Sequence, residues 1–78
     1  MLSLQIVSPA KVIFEGDCSF VVLPGAEGQL GILPRHAPLL SILRKGTITA
    51  RQKGSKKTFE IAGGFVEVLK NRVIVLAS

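Results

Sequence analysis

The chain has 78 residues, 47% hydrophobic and 19% charged, so it is sized for one folded domain and is too apolar for a disordered segment. It carries a formal net charge of +5, a single cysteine, and no tryptophan or tyrosine. An internal disulfide is therefore excluded, and the core must be built mainly from Val, Ile and Leu. No apolar run approaches the roughly 18 residues that a membrane-spanning helix needs, and no signal peptide is evident.

The hydrophobic pattern has a period of two along most of the chain, which predicts β-strands. Apolar and polar residues alternate, or form short β-branched runs, in the segments 2–6, 11–14, 19–23, 39–43, 47–51, 58–61, 65–69 and 72–77. Segment 39–43 is too short for a stable helix and is also predicted to be a strand. Residues 1–78 are therefore predicted to form one all-β domain, a small two-sheet β-sandwich of about eight to ten short strands.

Turn signals separate these segments. Gly54-Ser55 and Lys70-Asn71 each lie between two strand-like runs and are predicted to be hairpin tips. Gly63-Gly64 predicts a bend, a bulge or a close approach of two backbones. The stretch 25–40, GAEGQLGILPRHAPLL, holds three of the eight glycines, two of the four prolines and the only histidine. The part between Pro24 and Leu39 is predicted to be the distinctive loop of a binding or structural module.

Residues suited to catalysis are few. His36 lies between Pro34 and Pro38, in stiff backbone, and the chain offers few carboxylates to orient it, so it is predicted to be a structural or interface histidine. Asp17 beside Cys18 raises rather than lowers the pKa of the thiol. The glycine spacing in 25–31 is not that of a dinucleotide-binding loop. The sequence therefore predicts no enzyme, no metal site and no cofactor.

The charge distribution leaves an alternative open. Residues 1–34 carry one basic and three acidic residues, whereas residues 35–78 carry nine basic and two acidic ones. A basic half is compatible with a small β-domain that binds nucleic acid. Nucleic-acid surfaces usually interleave aromatic residues with the charges, however, and only Phe59 lies near the lysines at 53, 56 and 57. A solvated surface with basic hairpin tips explains the same pattern, and a hydrolase centred on His36 is a third, weaker hypothesis.

Five segments together carry a family resemblance. They are VSP at 7–9, VIFEG at 12–16, PGAEGQLGILP at 24–34, HAPLL at 36–40 and IAGGFVEV at 61–68. In this order and combination the chain resembles the epsilon subunit of the F-type ATP synthase, from about residue 3 to residue 77. That family has a β-sandwich followed by a helical hairpin, and only the sandwich is matched here. A natural short form, favoured because Met1 directly precedes the first strand, and a trimmed longer chain both explain this.

The resemblance implies a non-catalytic role in the rotor. A member of this family is a central-stalk subunit that links the gamma subunit to the c-subunit ring and helps couple proton transport to ATP synthesis. It meets the alpha/beta head indirectly, and it is peripheral to the membrane through the ring, here at the cytoplasmic face of a bacterial inner membrane. Without the helical hairpin, the resemblance implies neither hairpin-mediated inhibition nor ATP sensing.

The resemblance also implies two groups of contact residues. Those matching ring-contact positions are Glu27, Gly28 and Gln29. Those matching positions near gamma are Ser8, His36, Pro38, Leu40 and Thr47. Two positions depart from the family pattern. Gln29, in the ring-contact group, stands where the family often has Glu, and Arg35, next to His36, stands where many members have Gly.

Overall fold

The computed structural model describes residues 1–78, which form nine β-strands and no helix. In chain order the strands are β1 (Leu2–Val7), β2 (Val12–Cys18), β3 (Phe20–Gly25), β4 (Gly28–Ile32), β5 (Leu39–Leu43), β6 (Gly46–Gln52), β7 (Ser55–Ile61), β8 (Gly64–Leu69) and β9 (Arg72–Ala77). Every strand predicted from the sequence is present, and β4 is an additional one. The all-β prediction is therefore confirmed, and the number of strands lies in the expected range.

Hydrogen bonds join all nine strands into one sheet that curls back on itself. The strand order is β2-β1-β9-β8-β5-β3-β6-β7, and β4 pairs with β3 as a branch from this path. Strands β1 and β9 are parallel, and all other pairs are antiparallel. We call β2, β1, β9, β8 and β5 the five-stranded layer, and β7, β6, β3 and β4 the four-stranded layer. The predicted sandwich is thus built from one continuous, folded sheet.

The two layers meet at a corner between β5 and β6. Gly25 of β3 pairs with Leu43 of β5, whereas the first residues of β3 pair with β6. The Arg44 N–H donates a hydrogen bond to the carbonyl oxygen of Pro24 at 2.9 Å. A Cβ atom added to Gly46 would lie 2.8 Å from the Cβ of Pro24, so only glycine lets the chain pass this closely.

The core lies between the layers and is aliphatic. Alternate residues of β1, β3, β6, β8 and β9 point into it, which places one face of each strand inside. Its sixteen buried apolar residues are Leu2, Leu4, Ile6, Cys18, Val21, Leu23, Ile32, Leu43, Ile48, Ala50, Ile61, Val66, Val68, Val73, Val75 and Ala77. No polar or charged side chain is buried. Burial of each larger aliphatic side chain contributes about 1.5–3 kcal/mol to stability.

Aromatic contacts close the side where β2 approaches β6 and β7. The rings of Phe14 and Phe59 pack with their centroids 5.0 Å apart and their planes inclined by 44°. The Nζ of Lys57 lies 5.7 Å from the centroid of the Phe14 ring, within the range of a cation–π interaction. The Gln52 side chain also donates a hydrogen bond to the backbone carbonyl of Asp17 at 3.0 Å. These contacts hold the two ends of the sheet together.

The turns follow the predicted chemistry, with one shift in position. Lys70 and Asn71 have φ angles of 49° and 63°, and they form the predicted two-residue tip between β8 and β9. In the β6–β7 hairpin Gln52 pairs with Ser55, so the tip is Lys53-Gly54 rather than Gly54-Ser55. Gly54 has a φ of 75°, which explains why glycine occupies the second turn position.

Strand β4 was not predicted, because its sequence, GQLGI, is rich in glycine. Its ladder with β3 runs from Ile32 opposite Val21 to Gly28 opposite Gly25. Part of the predicted loop in 25–40 is therefore a hairpin. A Cβ atom on Gly31 would lie 3.3 Å from the ring of Phe20, so this glycine leaves room for a neighbouring aromatic side chain.

The predicted close approach at Gly63-Gly64 is confirmed. Both residues have positive φ angles, 153° and 141°. A Cβ atom on Gly64 would fall on the carbonyl oxygen of Leu76 in the adjacent strand β9. Because both the backbone conformation and the space require glycine, the start of β8 tolerates no side chain.

Two glycine substitutions separate these two requirements. Gly28 has a φ of 139°, close to that of Gly64, but a Cβ atom there meets nothing within 4 Å. We expect Gly28→Ala to lower the free energy of unfolding by about 1–3 kcal/mol through backbone strain alone. Gly64→Ala is expected to lower it by a further 1–3 kcal/mol, about the usual cost of overpacking. Urea unfolding of both variants measures the difference, and equal losses would show that the Leu76 contact is unimportant.

Candidate partner-binding surfaces

The β3–β4 hairpin carries the predicted ring-contact residues at its tip. Ala26 and Glu27 form the two-residue turn, and Gly25 pairs with Gly28. A Cβ atom on Gly25 would lie 2.5 Å from the carbonyl oxygen of Gly28, so the tip is too tight for a side chain there. Glu27 and Gln29 are exposed and Gly28 is half-buried. The tip therefore presents one carboxylate and one amide to solvent beside open backbone.

This tip is fastened to β5. The Ala26 N–H donates a hydrogen bond to the carbonyl oxygen of Ile42 at 2.9 Å. An open depression beside this contact is lined by residues 25–30 of the hairpin and by Leu40, Ser41 and Ile42 of β5. Leu40, predicted to lie near gamma, thus borders the same depression as the ring-contact group. Of the five predicted gamma contacts, the structure thus brings Leu40 alone beside the ring-contact group.

His36 lies in the connection between β4 and β5 and is half-buried. The backbone N–H of His36 donates a hydrogen bond to the carbonyl oxygen of Leu33 at 3.2 Å and closes a tight turn. Its ring Nδ1 lies 2.6 Å from the carbonyl oxygen of Ala37. Because a carbonyl oxygen only accepts, Nδ1 must carry the proton in this contact. His36 is held by its own neighbours, and Pro38, two residues on, is exposed.

The same connection is strained at Arg35. Its φ angle is 68°, in the left-handed region that disfavours residues with a Cβ atom. The side-chain oxygen of Asn71, at the β8–β9 tip, accepts a hydrogen bond from the Arg35 N–H at 2.6 Å. This bond holds the connection against the five-stranded layer. Glycine would adopt this conformation without strain.

The outer face of the five-stranded layer is unusually apolar. One row crosses five strands, with each residue opposite the next in register, and it consists of Ile42, Phe65, Leu76, Val7 and Val12. Ile42, Phe65 and Leu76 are 59%, 52% and 54% exposed. Leu40 is 73% exposed, and Leu69 and Ile74 lie on the same face. A contiguous apolar surface of this kind marks a site where another molecule packs. We call it the apolar face.

The remaining predicted gamma contacts lie at different places around this face. Pro38 and Leu40 line a shallow depression with Glu67 and Leu69 of β8. Ser8 directly follows Val7 in the β1–β2 turn, where its hydroxyl donates a hydrogen bond to the Lys11 carbonyl oxygen at 3.2 Å. It therefore borders the end of the face away from Pro38.

Thr47 is not on the apolar face. It points outward from β6 in the four-stranded layer, just beyond the corner. Its hydroxyl donates a hydrogen bond to the carboxylate of Glu60 on β7. Thr47 and Leu40 are thus on different layers, joined only through the corner.

Four of the ten basic residues lie at or next to the β6–β7 tip: Arg51, Lys53, Lys56 and Lys57. A polar depression there is lined by Ser19, Arg51, Gln52, Lys53, Gly54, Ser55 and Lys56. Phe59, the aromatic residue nearest in sequence, packs against Phe14 and is not free to stack on a base. The tip therefore lacks the exposed aromatic platform on which single-stranded nucleic acids usually stack. This geometry does not favour the nucleic-acid alternative.

Cys18 is fully buried, and it is the one cysteine of the chain. Burial raises the pKa of its thiol above the ordinary value. A hydrogen bond with the backbone of Phe20 lowers this pKa in part, and the negative charge of Asp17 raises it further. The thiol therefore stays protonated at neutral pH and is a poor nucleophile. The structure has no cluster of three or more metal-ligating side chains. No helix is present that is long and apolar enough to cross a membrane.

Comparison with known proteins explains this combination of an apolar face, a glycine-rich tip and no reactive centre. The model of the family described as "ATP synthase, Delta/Epsilon chain, beta-sandwich domain" matches residues 1–78. The chain belongs to this family. It is 50% identical over 74 residues to the ATP synthase epsilon chain of Desulforamulus reducens, covering 95% of the chain and 56% of that protein. With the epsilon chain of Chloroflexus aggregans it shares 42% identity over 76 residues, covering 97% of the chain and 55% of that protein.

This ATP synthase domain thus spans a little over half the length of these relatives. Its fold is also that of a chain in the Euglena gracilis mitochondrial ATP synthase, solved as OSCP/F1/c-ring in rotational state 1. The TM-score is 0.91 at 22% identity, over 97% of this chain and 49% of the other. An epsilon chain is a non-catalytic stalk subunit of its complex. The family resemblance seen in the sequence is confirmed.

The apolar face of this epsilon-family domain was not predicted from the sequence. In the sequence, Ile42, Phe65 and Leu76 indicate only strands. A signal was present, because β8 and β9 carry apolar residues on both of their faces. Strands that are apolar on both sides are usually covered on both sides. This pattern predicts that either a second layer of the chain or a partner covers the outer side of β8 and β9. The alternation alone does not distinguish these two cases.

The strain at Arg35 gives a test of how the β4–β5 connection is held. We expect Arg35→Gly to be more stable than Arg35→Ala by about 0.5–1 kcal/mol, because relief of the left-handed strain exceeds the entropic cost of glycine. Arg35→Ala removes the same charge and keeps the strain, so it is the matched control. Thermal and urea unfolding measure both. Equal stability of the two variants would mean that the connection relaxes to a different backbone conformation.

Proposed function

We propose that this domain is a non-catalytic central-stalk component of an F-type ATP synthase, which links the gamma subunit to the c-subunit ring and helps couple proton transport to ATP synthesis. The observation that carries the proposal is the family match over residues 1–78. The two exposed surfaces described above agree with it, since a connector needs one surface for each of two partners. A sandwich with a continuous backbone ladder is also stiff, which suits the transmission of torque.

The apolar face is the surface proposed for gamma. No other part of the chain covers this face, which exposes several large aliphatic side chains and a phenylalanine. Covering such side chains releases about 25 cal/mol for each Å² of apolar area. Pro38 and Leu40 lie on this face, His36 is held at its edge, and Ser8 borders its far end. Thr47 would be reached by a gamma surface that continues past the corner.

The β3–β4 tip is the surface proposed for the ring. Glu27 and Gln29 offer a carboxylate and an amide to polar loops, and Gly28 leaves the backbone open to close approach. Because Gln29 is uncharged, its contact with the ring would be a neutral hydrogen bond rather than an ionic pair. Because the tip is fastened to β5, the ring contact and the gamma contact are adjacent. In this arrangement the domain bridges its two partners over a short, rigid distance.

The 78 residues contain the sandwich alone, and the proposed role is limited to what a sandwich does. We assign neither hairpin-mediated inhibition nor ATP sensing to these residues, which form no helix. The sandwich is proposed to act in coupling and assembly. It would be peripheral to the cytoplasmic face of a bacterial inner membrane, held there through the ring, and would meet the alpha/beta head only indirectly.

The apolar face can be tested by a charge placed at its centre. Phe65→Asp is expected to weaken binding to the cognate alpha/beta/gamma complex by about 100-fold, because an unpaired carboxylate would be buried at the interface. Leu33→Asp is the matched control, since Leu33 is 58% exposed but lies outside the face. Affinity is measured by surface plasmon resonance, and circular dichroism checks that both variants fold. Equal affinities of the two variants would contradict the assignment of this face to gamma.

The ring contact can be tested separately. Glu27→Lys is expected to leave gamma binding unchanged and to lower proton-driven ATP synthesis severalfold in reconstituted vesicles, because it reverses the one charge at the tip. Lys53→Glu, at the opposite end of the four-stranded layer, is a charge-reversal control that should have little effect. Unchanged coupling in the Glu27→Lys complex would speak against a ring contact at this tip.

A further inference from the structure

One acidic residue interrupts the apolar face. The outward-facing residues of β5, β8 and β9 are Leu40, Ile42, Phe65, Glu67, Leu69, Arg72, Ile74 and Leu76. Among them only Glu67 is acidic. It lies opposite Leu40 on one side and Ile74 on the other, in the row next to that of Phe65. A carboxylate thus stands next to the exposed apolar row of Ile42, Phe65 and Leu76.

Two shallow depressions meet at this carboxylate. The first is lined by Pro38, Leu39, Leu40, Glu67, Val68 and Leu69. The second is lined by Glu67, Leu69, Lys70, Arg72 and Ile74. A partner that fills either depression must come into contact with Glu67. Arg72 lies diagonally across the β8–β9 pair from Glu67, at the end of the strand, and is itself exposed.

The free-energy cost of burying this carboxylate limits which partners can cover the face. An ionised group that loses its water without gaining a partner costs several kcal/mol, which would offset much of the gain from the surrounding apolar contacts. A partner that is only apolar is therefore a poor match. A second copy of the chain is also a poor match, because a two-fold axis through the middle of the face would bring the two Glu67 carboxylates together.

We propose that Glu67 is a specificity-determining residue, which pairs with an arginine or lysine of the gamma subunit placed over the centre of the apolar face. This rests on the proposed function, in which gamma covers that face. Leu40 and Ile74 flank Glu67 in its own row, and Phe65 lies in the next row. Once gamma covers these apolar side chains they shield the pair from water, so its interaction is screened little by salt. The pair also fixes the register of gamma on a surface whose aliphatic contacts alone would permit sliding.

The experiment compares two substitutions of Glu67 with the same substitutions of Glu15. Glu15 lies in the same row of the sheet, but on the edge strand β2, where the side chain of Gln5 donates a hydrogen bond to it at 2.9 Å. The affinity of each variant for the cognate alpha/beta/gamma complex is measured by surface plasmon resonance. We expect Glu67→Gln to weaken binding about tenfold and Glu67→Leu about 30-fold or more, because both leave the partner cation unpaired. Glu15→Gln and Glu15→Leu should change the affinity by less than about threefold.

The outcomes separate this inference from the proposed function. If Glu67→Leu binds as tightly as the unchanged chain, or more tightly, the paired cation does not exist, although gamma still covers the face. If the unchanged chain does not bind the complex at all, the proposed function itself is wrong. If Glu67→Leu forms dimers in solution while the unchanged chain does not, Glu67 acts against self-association.

A charge exchange identifies the partner residue. Glu67→Arg is expected to abolish measurable binding, and changing one basic residue of gamma to glutamate should restore at least a tenth of the original affinity. Each exposed arginine and lysine of the stalk portion of gamma is tested in turn against Glu67→Arg. A scan in which no gamma variant restores binding would overturn the pairing.

Discussion

The corner between β5 and β6 is the constraint on which the rest of the structure depends. Nine short strands bury their apolar sides only if the sheet folds back on itself, and the fold occurs where β3 passes from β6 to β5. Gly46 lets the chain pass over Pro24, and the Arg44 N–H bonds the Pro24 carbonyl oxygen. With this geometry both layers contribute to one aliphatic core. A side chain at position 46 would push the layers apart at the point where they are joined.

The same corner places the two candidate surfaces side by side. Because β3 crosses from one layer to the other, the β3–β4 tip projects beside β5 and bonds to it through Ala26 and Ile42. The tip and the apolar face are therefore parts of one rigid unit. A connector between two partners benefits from this, since relative motion between its two contacts would dissipate the torque it transmits. The proposed coupling role needs no moving part within the domain.

The strand pairing also determines where the charged residues lie on the surface. Phe20 pairs with Arg51, so the basic β6–β7 tip and the β3–β4 tip lie at opposite ends of the four-stranded layer. Glu27 is thus exposed at one end, and Lys53 and Lys56 are exposed at the other. Glu67 stands apart from both, within the apolar face. Each surface accordingly has its own electrostatic character, which limits the partners and orientations that it accepts.

Much of the fold could be predicted from the sequence. Alternation at period two located eight of the nine strands, and the asparagine at 71 and the glycine at 54 located two hairpin tips within one residue. Strand β4 could not be found in this way, because GQLGI contains two glycines and only two large apolar residues. The ring-contact group was predicted through family resemblance and stays a prediction, whereas the apolar face was not predicted at all.

By itself, the sequence determined the secondary structure, the composition of the core and the family, because these depend on local alternation, turn chemistry and short motifs. Only the tertiary structure decided the parallel pairing of β1 with β9, the corner at Gly46 and the exposure of Phe65, Leu76 and Ile42. Alternation shows that a strand has two apolar sides, but it does not show which side another strand covers. That choice is made by pairing between residues far apart in the chain, and it left one apolar face, with Glu67 at its centre, for a partner.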